Sequence, residues 1–219
     1  MKNIIILSAL FLLSLFTSCT DEPILGSGNV VSELRSVPMF TKVRSTGNFE
    51  VNITQGTNES LEIIADDNVI SRVRTEVVNQ ELRIHLDDIS YQGVSLRINI
   101  VNSRLNGLTY EGSGSIQASS IIEEGTFSVH NTGSGNIIIE GSAAGLLISN
   151  EGSGKVACFD FRVTNSTIAI DGSGDVETNC LDQLNAIIKG SGNVFYRGEP
   201  TIEKDITGTG DVVDANHTT

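Results

Sequence analysis

The chain has 219 residues, with 27 acidic side chains against 14 basic ones and a net charge of −13 at neutral pH. That balance excludes nucleic acid as a partner, because gripping phosphate needs a basic footprint, and it describes a well-solvated extracytoplasmic surface. Once an N-terminal leader is set aside, about 200 residues remain, enough for one domain with a real core or two small ones.

Residues 1–18 read as a signal peptide. Lys2 supplies a positive start and Ile4 to Phe16 form an almost unbroken apolar run. That run is short of the roughly 20 residues a membrane-spanning helix needs. It ends in Phe16-Thr17-Ser18-Cys19, which resembles a lipobox, although Phe stands where Leu is more usual. Cys19 is therefore the expected lipidation site. An ordinary signal peptide cut nearby is the alternative. Residues 19–29, including the polar Thr20-Asp21-Glu22-Pro23, are expected to form the lipidated Cys and a tether. The implied partner is a membrane, reached through a lipid anchor, and the implied location is the bacterial envelope at the outer membrane, periplasmic or surface-exposed.

Residues 30–214 are expected to form one β body, irregular over 30–106 and regular over 107–214, with a tail at 215–219. Period-2 alternation predicts strands at Phe40 to Val43, Asn48 to Thr54, Ser60 to Ala65, Val73 to Val78, Glu81 to Leu86 and Val94 to Val101. Turns are expected at Gln55 to Asn58 and Val78 to Gln80, and a single helical turn at Asp67 to Ile70. Gly26-Ser27-Gly28 is an isolated early copy of the marker that organises the second half.

That marker is Gly-x-Gly. It starts at Gly112, Gly133, Gly152, Gly172, Gly190 and Gly208, at intervals of 21, 19, 20, 18 and 18 residues, and each triplet closes on Gly114, Gly135, Gly154, Gly174, Gly192 or Gly210. Two residues beyond each triplet stands Ile116, Ile137, Val156, Val176, Val194 or Val212. Four residues before it stand Leu108, Val129, Ile148, Ile168 and Ala186, with Lys204 breaking the row. A fixed period near 20 residues points to a solenoid of short β segments with glycine corners. Glycine in a strand costs roughly 0.5–1 kcal/mol, which needs a geometric reason such as φ > 0 or close backbone approach. Each buried Ile or Val returns roughly 1.5–3 kcal/mol. A flexible linker would not hold a β-branched residue at one offset six times.

The head segment Phe49-Glu50-Val51-Asn52-Ile53-Thr54-Gln55-Gly56, with Leu61-Glu62-Ile63, Ala65 to Ile70 and Leu82-Arg83-Ile84, precedes the Gly-Ser-Gly-[Asn/Asp]-Val units. Together they resemble the bacterial putative auto-transporter adhesin, head GIN domain family, over roughly residues 38–214. The resemblance implies an all-β fold, a right-handed single-stranded parallel β-helix with about 18–21 residues per repeat in the C-terminal half, on a cell-surface or secreted protein. It also implies a putative surface adhesin or structural binding module, without catalysis, whose target is a glycan or a surface protein. Ser115 and Lys155 depart from the Asn or Asp usual after the triplet, which argues against a polar ligand repeated at that position.

Other chemistry finds little support. The glycine triplets lack the following helix and Gly-Lys-Ser/Thr of a phosphate loop. A calcium roll needs nine-residue spacing, so only an isolated site near Asp175, Asn193 and Asp211 is conceivable, and a solvated polar ladder is the plainer reading. His85, His130 and His217 are scattered, without the spacing of a zinc site. No metal and no cofactor is expected. Cys158 and Cys180 lack activating neighbours. They fall in successive units at different offsets, so a disulfide is possible and two separate buried thiols equally so. The enzymatic rival is a glycan-cleaving module using Asp160, Asp171 and Asp175. It needs paired carboxylates in a cleft, and the chain has no Trp and three Tyr to build sugar platforms.

Overall fold

The structure, a computed structural model, describes residues 22–217. The signal peptide and Cys19 lie outside the described residues. Among the described residues eighteen strands follow in chain order. The first nine are β1 (Ile24–Leu25), β2 (Val30–Arg35), β3 (Lys42–Gly47), β4 (Glu50–Gln55), β5 (Ser60–Asp66), β6 (Val73–Val78), β7 (Glu81–Leu86), β8 (Tyr91–Gln92) and β9 (Leu96–Asn102). Then come β10 (Gly107–Gly112), β11 (Ser115–Asn131), β12 (Asn136–Asn150), β13 (Val156–Ala157), β14 (Phe161–Ile170), β15 (Val176–Ile188), β16 (Val194–Arg197), β17 (Thr201–Ile206) and β18 (Val212–Asp214). A 3-10 turn, Ile70–Arg72, falls where the helical turn was expected to end.

In the second half each Gly-x-Gly unit pairs in parallel with the next, and the register offsets equal the sequence intervals. Ile116 lies against Ile137, Ile137 against Val156, Val156 against Val176, Val176 against Val194 and Val194 against Val212. Below Ile116 the row continues to Val51 and Ile98. A second row runs Leu82, Val43, Leu108, Val129, Ile148, Ile168, Ala186 and finally Lys204 at the exposed edge strand β17. The apolar members of both rows are buried except the edge residue Val212, and they join one core with Phe127 and Phe161, whose rings meet edge to face at 5.4 Å. Lys204 therefore breaks the apolar row where the core ends. Charged side chains on such a free edge discourage further strand addition.

The right-handed single-stranded parallel β-helix expected above is corrected by the pairing pattern. The strands form one mixed 16-stranded sheet plus a two-stranded sheet of β1 and β8, and part of the large sheet closes into a small four-stranded parallel barrel. That ring runs β12, β13, β15, β14 and back to β12. The first half brings antiparallel pairs: β2 with β5, β5 with β9, and β6 with β7. It also breaks chain order, since β3 sits between β7 and β10, and β4 between β9 and β11. The physical reason lies in the turns. Residues 30–106 carry one glycine corner, at Gly47 beneath Gly112, and lack the repeating Gly-x-Gly triplets that send the chain round to a parallel neighbour in every unit. In their place Asn79 and Gln80, at φ 53° and 63°, fold β6 back on β7 as a tight hairpin.

Candidate functional site

The glycine corners come first, because they fix the strands that carry everything else. A Cβ added at any of the twelve repeat glycines would fall 1.8–2.3 Å from a backbone oxygen of the unit below. For Gly152 that atom is the Gly133 carbonyl at 1.8 Å, and for Gly172 the Gly152 carbonyl at 2.2 Å. None of the twelve has a positive φ. The corner requires glycine through close backbone approach and not through backbone handedness.

Three of the polar side chains that follow the triplets are spent on the same stacking. Asn136 Oδ1 accepts from the Lys155 N–H at 3.1 Å, Asp175 Oδ1 from the Asn193 N–H at 2.8 Å, and Asn193 Oδ1 from the Asp211 N–H at 3.0 Å. Asp175, Asn193 and Asp211 thus form a hydrogen-bonded ladder, and no metal-holding cluster of His, Cys, Asp or Glu occurs among the described residues. Backbone and Lys204 contacts hold the Asp211 carboxyl below its ordinary pKa.

Cys158 and Cys180 are free thiols, both buried, so the possible disulfide is not formed. Burial pushes both thiols above their usual pKa. Cys180 lies beside Val163 of β14 and points its sulfur at the Thr164 and Gln183 carbonyls, 3.4 and 3.1 Å away. The carboxylates proposed for glycan cleavage are not gathered. Asp175 lines a groove on one side of the glycine corner, Asp171 a different depression with Glu151 and Lys189, and Asp160 sits exposed in the turn before β14.

The outward face of the strands after each corner carries the most site-like surface. One row of side chains crosses ten strands: Leu34, Glu62, Asn99, Asn52, Gln117, Ile138, Ala157, Glu177, Phe195 and Val213. None of them is buried. Toward β18 the row deepens into a groove of about 470 Å³ lined by Lys155, Phe159, Asp175, Glu177, Phe195, Arg197, Val213 and Ala215. The Arg197 guanidinium lies 4.1 Å over the Phe159 ring, a cation–π contact, and Lys155 is ion-paired to Glu177. Sequence reasoning missed this groove, which Phe159 and Phe195 both line. The signal was available: counting outward positions from each corner puts Phe195 in the column of Ala157 and Glu177, and Phe159 two residues beyond Ala157, in the turn after β13.

A second cavity, of about 570 Å³, lies at the opposite end of the sheet, beside His85, Asp87, Asp88, Ile89 and Tyr91. There Tyr91 donates its hydroxyl to Asp87, which also accepts from Arg72 at 3.2 Å. Burial and the neighbouring Asp87 carboxylate push the Tyr91 phenol up to about 12. The Tyr91 hydrogen bond and the Arg72 charge hold Asp87 below the carboxylate range.

A family model described as putative auto-transporter adhesin, head GIN domain, matches residues 39–200. The chain belongs to the head GIN domain family. Solved structures share the fold at low identity. A putative adhesin from Bacteroides fragilis is 21% identical with a TM-score of 0.71, over 87% of this chain and 99% of that one. A putative adhesin from Parabacteroides merdae is 18% identical with a TM-score of 0.55, over 88% and 99%. A putative lipid binding protein from Parabacteroides distasonis is 22% identical with a TM-score of 0.56, also over 88% and 99%. No curated protein matches the chain. Membership in the head GIN domain family points to a cell-surface or envelope location. Among the described residues of this head GIN chain, no helix is long and apolar enough to cross a membrane.

Proposed function

We propose that the chain is a non-catalytic adhesin of the bacterial envelope, held to the outer membrane by lipid on Cys19, and that it binds its target through the outward face that ends in the Phe159–Phe195 groove. The observation that carries this reading is the single uninterrupted row from Leu34 to Val213, which offers binding side chains along the whole body. Its family membership and the adhesins that share its fold support the same role. A non-catalytic reading fits the separation of Asp171 and Asp175 onto different depressions.

The anchor would also orient the molecule. Residues 20–23 link Cys19 to β1, a reach of at most roughly 15–18 Å. The end bearing β1, β8 and Tyr91 would then face the membrane, and the groove near β18 would face outward. Two measurements test the reading. Full-length protein expressed in a lipoprotein-exporting bacterium should sediment with membranes, and Cys19→Ala should release it. Cells displaying the wild type should adhere to glycan- or protein-coated surfaces more than cells lacking it. Membrane retention of Cys19→Ala, or equal adherence, would overturn the anchored-adhesin reading.

A further inference from the structure

We propose that two copies of the chain join edge to edge through β2, antiparallel about a two-fold axis that sets Ser32 against Ser32 of the second copy. Among the described residues β2 pairs with no strand but β5, so its other side presents unpaired backbone N–H and C=O groups. Val30, Val31, Ser32, Glu33 and Leu34 are all exposed, and Leu34 keeps 75% of its surface and Val30 49%. Both faces of the strand are therefore open as well as its edge. The strand is also held in place. Ahead of it the Gly28 N–H donates to Asp66 at 2.8 Å, and at its end the Arg35 guanidinium donates to the Ile70 carbonyl at 2.9 Å. A second strand that pairs here has little further ordering to impose.

The edge selects its occupant. A lipid surface cannot pair the open N–H and C=O groups, whereas a strand can. The far end of the sheet is a poor source of that strand, because β18 has three residues and β17 carries Glu203, Lys204 and Asp205. Charge points the same way. Residues 107–217 hold fifteen acidic side chains against five basic, whereas residues 30–106 hold ten against eight. Joining two β2 edges brings the nearly balanced halves together and keeps the acidic halves apart. β2 also complements itself. A two-fold axis perpendicular to the sheet keeps each face continuous, so opposed residues point to the same face. With Ser32 on the axis, Leu34 of each copy meets Val30 of the other on the outward face, and five residues of each strand pair. With the axis at Glu33, like charges oppose. With it at Val31, Leu34 loses its strand partner, and with it at Leu34, Val30 does. The tethered ends then form the seam, the outward face runs on across both copies, and the grooves near β18 lie at the far ends. Nothing in this pairing depends on what the outward face binds.

The test expresses the full-length chain with Ser32→Cys, Glu33→Cys or Leu34→Cys in a bacterial envelope, oxidises the cells with copper phenanthroline and reads non-reducing gels. The wild type supplies the background, since Cys158 and Cys180 are buried. Opposed Cα atoms of an antiparallel pair lie about 4.5–5.5 Å apart, a span that a disulfide bridges. Ser32→Cys should give a homodimer band roughly tenfold above the wild type and above Leu34→Cys, whose two copies this register holds about 13 Å apart along the strands. Adding Leu34→Lys to Ser32→Cys should cut that band roughly tenfold with an unchanged melting temperature, because Leu34 is exposed and a lysine opposite Val30 spoils the pair. A Ser32→Cys band no stronger than the wild type, or one joined only to a different protein, overturns the self-pairing. So does a band that Leu34→Lys leaves undiminished, which would report collision and not pairing. Stronger cross-linking of Glu33→Cys or Leu34→Cys than of Ser32→Cys overturns the register.

Discussion

The side-chain amide of Asn131 donates to Oδ1 of Asn150, 2.9 Å away, where neither residue is exposed. The two are register partners in β11 and β12, within a row that runs from Ile84 through Ser45 and Tyr110 and continues as Ile170 and Ile188. Asn150 Nδ2 in turn donates to the Gly154 and Gly174 carbonyls at 3.1 and 3.0 Å, and Asn131 Oδ1 accepts from the Gly133 N–H at 3.2 Å. The pair thus satisfies backbone groups that the glycine corners turn inward, where water does not reach. Polar residues occupy these two interior positions because the corners create polar demand there.

Replacing Asn150 with Ala should therefore cost roughly 2–4 kcal/mol, since it leaves two buried carbonyls and the Asn131 amide short of partners. Urea unfolding monitored by circular dichroism checks this. A midpoint within error of the wild type would show that the pair is incidental.

Gly152 makes the sharpest steric prediction. Its absent Cβ would sit 1.8 Å from the Gly133 carbonyl oxygen, which is backbone and cannot swing aside. Gly152→Ala should destabilise by about 3 kcal/mol or lose the fold outright. Gly125→Ala is the control: φ is not positive there and the nearest atom is the flexible Glu123 Oε1 at 3.2 Å, so its effect should stay within about 0.5–1 kcal/mol. Thermal melts of the two variants should separate clearly.

These two sites also show what the sequence made legible. The rows through Ile116 and Leu108 could be read from fixed offsets to each triplet, because inward residues recur with the period of the stack. The strands at Val73–Val78 and Glu81–Leu86 have their expected boundaries, since turn residues bound them. Partner choice was not legible. Alternation reports which face a residue occupies, but not whether the neighbouring strand runs parallel, so β2 against β5 and β5 against β9 had to come from the structure. β1, β2 and β8 were also missed. Residues 24–29 read as tether, yet Gly28 N–H donates to Asp66 at 2.8 Å and Ser27 Oγ to Asp67 at 2.6 Å, long-range partners that no local pattern announces. Phe159 and Phe195 were legible as outward residues only once register was known.

Tyr91 and Asp87 give a pH dependence with a defined sign. Tyr91 is raised to about 12 from an ordinary 10, so the fold favours its neutral form. Its contribution is fully present below pH 10 and is lost as pH rises from 10 through 12. Asp87 is lowered, so its contribution is present above the ordinary carboxylate range and is lost as pH falls through that range and below. Tyr91→Phe removes the phenolic proton. The melting temperature of the wild type should fall more steeply than that of Tyr91→Phe between pH 10 and 12. Parallel curves would place the ionisation elsewhere.

Cys158 and Cys180 test whether the interior is as closed as the register implies. Both thiols are buried and unpaired, and burial raises both above the pKa of a free thiol, so neither carries much reactive thiolate near neutral pH. A thiol reagent such as Ellman's should leave both untouched in the native protein at pH 8 and titrate both after denaturation, with or without prior reduction. Because Cys158 follows β13 while Cys180 lies within β15, set against Val163, oxidation should not cross-link them while the sheet is intact. A denatured, unreduced sample that yields no thiol from either residue would mean that a disulfide forms between them.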